Sequence, residues 1–384
     1  MYRRRRLLVS AIGLGVIVAT IAAIVALKQS DPAPDRSRVL PIDGWAPYWA
    51  LDESLVDLPL RAPLLREVSP FWFSVTGPTT IAVDPNVSDD QARQFVQIAR
   101  RSGLPLVPSL FDGTDSGVLA GVLANPASRT AHVDAIVKFA TDGKYAGIDL
   151  DYEQFAFADD RSTWATTRPN WAAFVVELAD RLHADGRTLT VSVPPVYDDG
   201  QTPDSGYWVY DYATMAQVVD RIRVMAYDYS TSAAGPIAPL DWVRKLVRGV
   251  TEAAGSPDKL VLGVPLYGYT WAVGSAGGCS PDDLARSTVQ VRSAAELFAR
   301  RSVAPTFDAV AGEWTFAYTI PADATTTCTQ SRQGWYVDAA GAQARAQVAR
   351  DAGWSGVSLW ALGYDDQSVW NAFAPPVTTT TIAR

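Results

Sequence analysis

Eight short apolar runs rich in β-branched residues alternate with helical patterns, and this alternation most limits the folds open to the chain. The runs cover residues 39–45, 68–75, 105–110, 145–151, 188–193, 221–227, 259–266 and 356–360. Helical patterns cover 89–101, 129–139, 171–183, 240–250 and 342–352, and a weaker one covers 52–66. Continuous apolar runs are typical of parallel strands that are buried on both faces. We therefore predict an α/β fold, a (β/α)8 TIM barrel, over residues 39–374.

The spacing of the runs also predicts one insertion. Most runs begin roughly 29 to 43 residues after the previous one, but the last two begin 97 residues apart. The excess predicts a small α+β lobe over about 270–335, inserted between strand seven and helix eight. A helical pattern at 293–301 and strand patterns at 305–307, 314–317 and 335–337 lie within it.

Composition and charge exclude several classes of protein. Of the 384 residues 48% are hydrophobic and 19% are charged, so the chain is not disordered. Five of the 33 basic residues and none of the 41 acidic ones lie in residues 1–30, which leaves the remainder with a charge of −13. An acidic body argues against a nucleic-acid partner. Two histidines and two cysteines argue against zinc and iron–sulfur centres.

The amino-terminal segment predicts a membrane anchor. Residues 7–27 carry no charge, and 21 helical residues span about 31 Å, the thickness of a bilayer core. Four arginines, Arg3 to Arg6, precede this run and place the amino terminus inside the cell. We predict an anchor over residues 1–28, with a cleaved signal peptide as the alternative. The body then lies outside the cytoplasm, anchored to the cell membrane or secreted, between a linker at 29–38 and a disordered tail at 375–384.

The two cysteines fit this compartment. An extracytoplasmic protein can form disulfides, so we predict that Cys279 pairs with Cys328. The bond would close the loop from residue 279 to residue 328, which stabilises the fold by about 4 kcal/mol on the chain-entropy estimate. Two free, buried thiols are the alternative.

The stretch 145–153 places three carboxyl groups on one face of a strand. Residues two apart share a face, so Asp149, Asp151 and Glu153 lie together near the carboxyl end of strand four. Carboxyl groups stacked in a barrel interior repel each other, and the pKa of at least one must rise. We predict acid–base catalysis here. An acidic strand edge in water and a metal site are the alternatives.

Two other strands end in residues suited to a sugar. A protonated carboxylic acid beside a carboxylate, flanked by aromatic rings, is a set of groups suited to cleaving a glycosidic bond. Strand six ends in Met225, Tyr227 and Asp228, and strand eight ends in Trp360. The tryptophan can form a floor beneath a sugar ring.

These motifs together resemble glycoside hydrolase family 18, the chitinase-like barrel hydrolases. The strand-four pattern Asp-x-x-Asp-x-Asp-x-Glu of that family matches at its last three acidic positions, and the Met-x-Tyr-Asp of strand six and the Trp of strand eight match as well. The first acid of the strand-four pattern is Ala146 here, and the strand-three Ser-x-Gly-Gly is absent. The sequence segments at 235–239 and 262–268 are more similar to bacterial wall-lytic and spore-cortex-lytic members than to secreted chitin-degrading members.

The resemblance implies a mechanism in which the 2-acetamido oxygen of the substrate attacks and no cofactor or metal takes part. Glu153 is then the general acid and later the base. Asp151 orients the acetamide nitrogen and shares a proton with Asp149, and Tyr227 donates a hydrogen bond to the acetamide. Cleavage falls at β-1,4 bonds next to N-acetylglucosamine, in peptidoglycan or chitin-like glycans, with retention of configuration.

Further residues are expected to contact substrate. Asp228 supports the site, Met225 lies beside it and Trp360 stacks under the sugar. Candidate wall residues, for which core packing is the alternative, are Trp45, Tyr48, Trp72, Tyr229 and Tyr267. Two other functions stay open: a non-catalytic, lectin-like binder of chitin or peptidoglycan on the same barrel, and a structural envelope protein.

Overall fold

The computed structural model describes residues 39–197, 205–323 and 327–374. The predicted amino-terminal anchor, the linker and the carboxyl-terminal tail lie outside these residues. Of the helices within the described ranges, none combines the length and apolar character needed to cross a membrane.

A closed ring of parallel strands forms the centre of the protein. The strands in chain order are β1 Ile42–Pro47, β2 Leu65–Phe71, β3 Phe73–Gly77, β4 Thr80–Val83, β5 Ser109–Asp112, β6 Gly147–Asp151, β7 Thr188–Val193, β8 Arg221–Met225, β9 Leu260–Pro265, β10 Tyr267–Ala276, β11 Ser287–Gln290, β12 Thr306–Asp308, β13 Glu313–Ile320, β14 Thr329–Tyr336 and β15 Gly356–Trp360. The large sheet has the order β2-β1-β15-β9-β8-β7-β6-β5-β3-β4, in which only β4 is antiparallel to its neighbour.

The ring closes through the second barrel strand. β2 and β3 are two halves of one run, separated only by Trp72, and they lie near opposite ends of the sheet order. Val68 N donates to Pro105 O at 3.0 Å, and Val107 N donates to Val68 O at 2.9 Å. These bonds join β2 to the segment leading into β5, which confirms the predicted eight-stranded barrel.

Helices surround this ring. They are α1 Leu51–Arg61, α2 Asp89–Arg101, α3 Val118–Ala124, α4 Pro126–Asp142, α5 Gln154–Phe157, α6 Trp164–Ala184, α7 Tyr212–Val218, α8 Leu240–Ala254, α9 Pro281–Leu284, α10 Val291–Arg301, α11 Ala339–Asp351 and α12 Gln367–Phe373. Local chemistry sets their ends: Ser88 caps α2 by accepting from Gln91 N, and Gly255 ends α8 at φ +76°.

Of the barrel strands, β5 begins furthest after its predicted start. The apolar run at 105–110 corresponds to β5, which begins at Ser109. Pro105 and Pro108 have no N–H to donate to a neighbouring strand, so regular strand pairing starts only after them.

The apolar face predicted for the helix at 240–250 is buried against the barrel. On α8 the side chains of Val243, Leu246 and Val250 are fully buried, and each contributes about 1.5–3 kcal/mol to stability.

The insertion forms a separate five-stranded antiparallel sheet, here called the lobe, of order β11-β10-β14-β13-β12. It spans 267–336, slightly more than the predicted 270–335. The predicted disulfide between Cys279 and Cys328 is present. The helix that follows the lobe, α11, leads into β15 and is therefore the seventh helix of the barrel. The lobe thus lies between strand seven and helix seven, and α12 is helix eight.

Candidate active site

Glu153 lies just beyond the carboxyl end of β6, where the chain turns into the short helix α5. It is half-buried and lines a cavity of about 800 Å³ at the carboxyl ends of the barrel strands. Burial raises the pKa of Glu153 to about 7, and the negative charge of Asp228 adds to the rise. A carboxyl group with this pKa can hold a proton near neutral pH and release it during a reaction.

This pKa predicts the alkaline limb of the pH profile. A general acid must be protonated in the free enzyme, so kcat/KM falls about tenfold per pH unit above pH ~7. Asp228→Asn removes the charge that raises the pKa of Glu153, and the limb then shifts to lower pH. The measurement is kcat/KM for an N-acetylglucosamine oligosaccharide from pH 4 to 9. A limb that stays in place in the variant contradicts this electrostatic coupling.

Asp151 is the next carboxyl group down the strand and is 4% exposed. Burial and the charges of Glu153 and Asp149 raise the pKa of Asp151 well above its usual range. Its Oδ1 atom is buried and has no hydrogen-bond partner among the described residues. The atom therefore retains an unused position for a hydrogen bond, such as one from a ligand amide.

Asp149, at the bottom of the carboxyl series, is fully buried and surrounded by donors. Its Oδ2 accepts from Trp45 Nε1 at 3.1 Å, Ser109 Oγ at 2.7 Å and Arg223 Nη1 at 3.1 Å, and its Oδ1 accepts from Ser192 Oγ at 2.7 Å. The two carboxyl groups were predicted to share a proton. No hydrogen bond joins Asp149 to Asp151 in the described part of the chain, so the structure gives no direct contact through which they could share it.

Arg223 of β8 balances charge beneath the site and was missed by sequence reasoning. Its guanidinium is fully buried and donates to Glu67 Oε1 at 2.7 Å and Ser69 Oγ at 2.6 Å, besides Asp149. Asp43 lies 3.5 Å from Nη2. Two arginines, Arg221 and Arg223, within one short barrel strand were the available signal, because a buried charge needs partners.

Removing this cation would leave the buried carboxylate of Asp149 without its ion-pair partner, whereas Glu67 and Asp43 keep Arg221 and Arg66. We expect Arg223→Met to destabilise the protein by about 3–5 kcal/mol, the usual effect of breaking a buried ion pair. Urea unfolding measures the change. As a control, Arg93→Met breaks an exposed pair with Asp90. A loss for Arg223→Met no larger than that of the control contradicts the role.

Tyr227 and Asp228 follow β8 and face the same cavity. Asp228 adopts the left-handed region at φ +58°, which aspartate tolerates better than most residues. Its Oδ1 accepts from the hydroxyls of Tyr267 and Tyr269, the latter at 3.0 Å. Burial raises the pKa of Tyr227 well above its usual range, which keeps its hydroxyl a donor. A Cβ on Gly263 would lie 3.0 Å from the Tyr227 ring, so this glycine makes room for it.

Trp360, the last residue of β15, lies among aromatic rings at the base of the cavity. Its ring is 6.2 Å from Tyr227 at 30° and 5.0 Å from Phe71 at 90°. Met225, Tyr229 and Tyr267, which are predicted to contact substrate, also line the cavity. Lining aromatic residues that were not predicted are Trp49, Phe71, Phe157, Tyr197, Tyr207, Trp242, Tyr269 and Tyr364.

Three candidate wall residues lie elsewhere. Trp45 is 1% exposed and donates to Asp149 from below, so its assignment as a substrate-binding residue is wrong. Trp72 is buried in the core against Phe95, and Tyr48 does not line the cavity. Alternation along β1 puts Trp45 into the barrel interior, where its N–H requires an acceptor.

The site therefore joins an acid of raised pKa, two further carboxyl groups, a tyrosine donor and an aromatic floor at the mouth of a TIM barrel, the arrangement of a barrel glycosidase. The family model "Glycosyl hydrolases family 18" matches residues 62–365. The chain belongs to this family, whose members are O-glycosyl hydrolases.

Two curated proteins and one solved structure illustrate the similarity. The YdhD glycosylase of Bacillus subtilis is 32% identical over 55% of this chain, and the match spans 48% of YdhD, about half of its length. The cortical fragment-lytic enzyme of Bacillus subtilis is 24% identical over 80% of this chain and 67% of its own. A chitinase structure from Chromobacterium violaceum superposes with a TM-score of 0.71 at 22% identity, covering 87% of this chain and 98% of its own.

Proposed function

We propose that the protein hydrolyses β-1,4 bonds next to N-acetylglucosamine in a polymer such as peptidoglycan or chitin. Family membership and the chitinase and cortex-lytic relatives support action on N-acetylglucosamine-containing glycans. The observation that carries the proposal is Glu153, half-buried at the cavity with its pKa raised to about 7 and located at the end of barrel strand four.

The mechanism we propose uses the acetamide of the substrate as nucleophile. Glu153 protonates the leaving oxygen while the acetamide oxygen attacks the anomeric carbon, and the glycosidic C–O bond breaks. Asp151 accepts the acetamide N–H at its free Oδ1, and Tyr227 holds the acetamide oxygen. Glu153, now ionised, then takes a proton from the water that opens the oxazolinium ring, and configuration is retained.

We also propose that the body works outside the cytoplasm, held at the cell membrane by residues 1–28. The apolar run at 7–27 supports this, and so does the disulfide, since such bonds persist in oxidising compartments. Fractionation of cells producing the full chain tests it. Membrane-bound protein is expected, released protein lacking residues 1–28 indicates a cleaved signal, and cytoplasmic protein contradicts it.

The test of function is mass spectrometry of products from purified wall glycan and from chitin oligosaccharides. Fragments with N-acetylglucosamine at the new reducing end support the proposal. Tight binding without cleavage of either polymer would instead favour the non-catalytic, lectin-like alternative.

A further inference from the structure

Arg286 of the lobe lies at the edge of the catalytic cavity, outside the residues that the mechanism uses. Its guanidinium carbon is 3.8 Å from the centre of the Tyr269 ring, and its Nη1 donates to the carbonyl of Thr231 at 3.2 Å. Tyr269 and Thr231 both line the cavity. Two contacts, one within the lobe and one with the loop after β8, therefore fix one cation beside the site.

The direction of the side chain follows from the adjacent strand. Thr288 pairs with Tyr269 in the β10–β11 ladder and lines the cavity. Residues two apart in an extended segment share a face, so Arg286 lies on the same face as Thr288. Arg286 is exposed, which leaves its guanidinium open to the cavity mouth.

The charges around the cavity make this cation significant. The described lining residues include Asp151, Glu153 and Asp228 but no lysine, arginine or histidine. Each of these carboxyl groups repels an anionic ligand when it is ionised, and a cation nearby offsets that repulsion. Arg286 has no ion-pair partner among the described residues, whereas Arg292 of the lobe pairs with Asp57. Its remaining N–H groups are a fork suited to a carboxylate.

We propose that Arg286 binds a carboxylate carried by the glycan, so that the enzyme prefers an anionic N-acetylglucosamine polymer to neutral chitin. This rests on the proposed function. The carboxylate comes either from a lactyl ether on a sugar ring or from a peptide attached to it, and both present the same planar anion. In bacterial wall glycan the lactyl carboxylate is free only on sugars without a peptide, because the peptide is attached to it through an amide bond; chitin carries neither group.

The experiment compares four substrates of similar length: wall glycan with its peptides, wall glycan without peptides, the peptide-free glycan after reduction of its carboxyl groups to alcohols, and a chitin oligosaccharide. The full chain is compared with Arg286→Gln and Arg286→Lys. The control is Lys245→Gln, which removes an exposed cation 4.9 Å from the ring of Tyr197, another lining residue.

We expect wild-type kcat/KM to be higher on an anionic glycan than on its reduced form by about three- to tenfold, as befits a partly exposed, charge-assisted pair. Arg286→Gln removes this preference, Arg286→Lys keeps part of it and Lys245→Gln keeps all of it. Loss of the preference on peptide removal assigns the carboxylate to the peptide, and loss on reduction assigns it to the lactyl group.

Two results overturn the inference. If Arg286→Gln leaves the preference intact, or if Lys245→Gln abolishes it equally, Arg286 is not the carboxylate contact, although the hydrolase function stands. If the wild type cleaves none of the four substrates, the proposed function fails and the inference falls with it.

Discussion

Replacing Glu153 with glutamine is expected to lower kcat by about two to four orders of magnitude, because the general acid and base are lost in one step. The amide keeps the size and polarity of the side chain but cannot give a proton to the leaving oxygen. Substrate binding survives, since the aromatic floor and Asp151 are untouched. Steady-state kinetics with an N-acetylglucosamine oligosaccharide measures kcat, and calorimetry measures the dissociation constant.

Glu252→Gln, a matched change on the exposed surface of α8, controls for the loss of one carboxylate anywhere on the protein. Thermal unfolding of both variants checks that the fold is intact. Turnover of Glu153→Gln within a few-fold of wild type would remove Glu153 from its role. It would also leave the raised pKa of this residue without a function.

Removing the acetamide from the substrate is expected to have an equally large effect. Glycans whose 2-acetamido group is replaced by hydroxyl should not be cleaved at a detectable rate, because the attacking oxygen is then missing. Asp151 is the last residue of β6, two residues before Glu153, and flanks the acid, so it is poorly placed to attack the opposite face of the sugar. An N-acetylglucosamine thiazoline, which mimics the cyclised intermediate, should inhibit competitively and bind more tightly than substrate.

The covalent alternative has its own signature. A retaining enzyme with a protein nucleophile accumulates a glycosyl ester when given a fluorinated sugar, and mass spectrometry of the intact chain detects it. We expect no adduct. A sugar trapped on Asp151 or Asp228 would overturn the acetamide mechanism while leaving the glycosidase class in place.

The spacing of apolar residues was sufficient to predict the barrel. Buried parallel strands are short continuous apolar runs, whereas amphipathic helices repeat an apolar residue every three or four positions. The same alternation predicted Asp149, Asp151 and Glu153 on one face; β6 ends at Asp151, and Asp151 and Glu153 line the cavity. The lobe was less predictable. Its first strand, β10, continues almost directly from β9, with only Leu266 between them, so no break in the pattern marked its start.

The residues beneath the site could not be predicted for a different reason. Arg223 meets Glu67 across 156 residues of chain, and no local pattern specifies a partner so distant. Trp45 was misassigned because an aromatic residue near a strand end suits both a cavity wall and the interior. Only the register of β1 within the closed barrel decides between them.

The most direct test of the account is proton NMR of the first product formed when the full chain cleaves an N-acetylglucosamine oligosaccharide. Acetamide attack followed by water retains configuration, so the new reducing ends should appear first as the β anomer and only later equilibrate with the α anomer. New ends that appear first as the α anomer, or an oligosaccharide that remains uncleaved, would contradict the account.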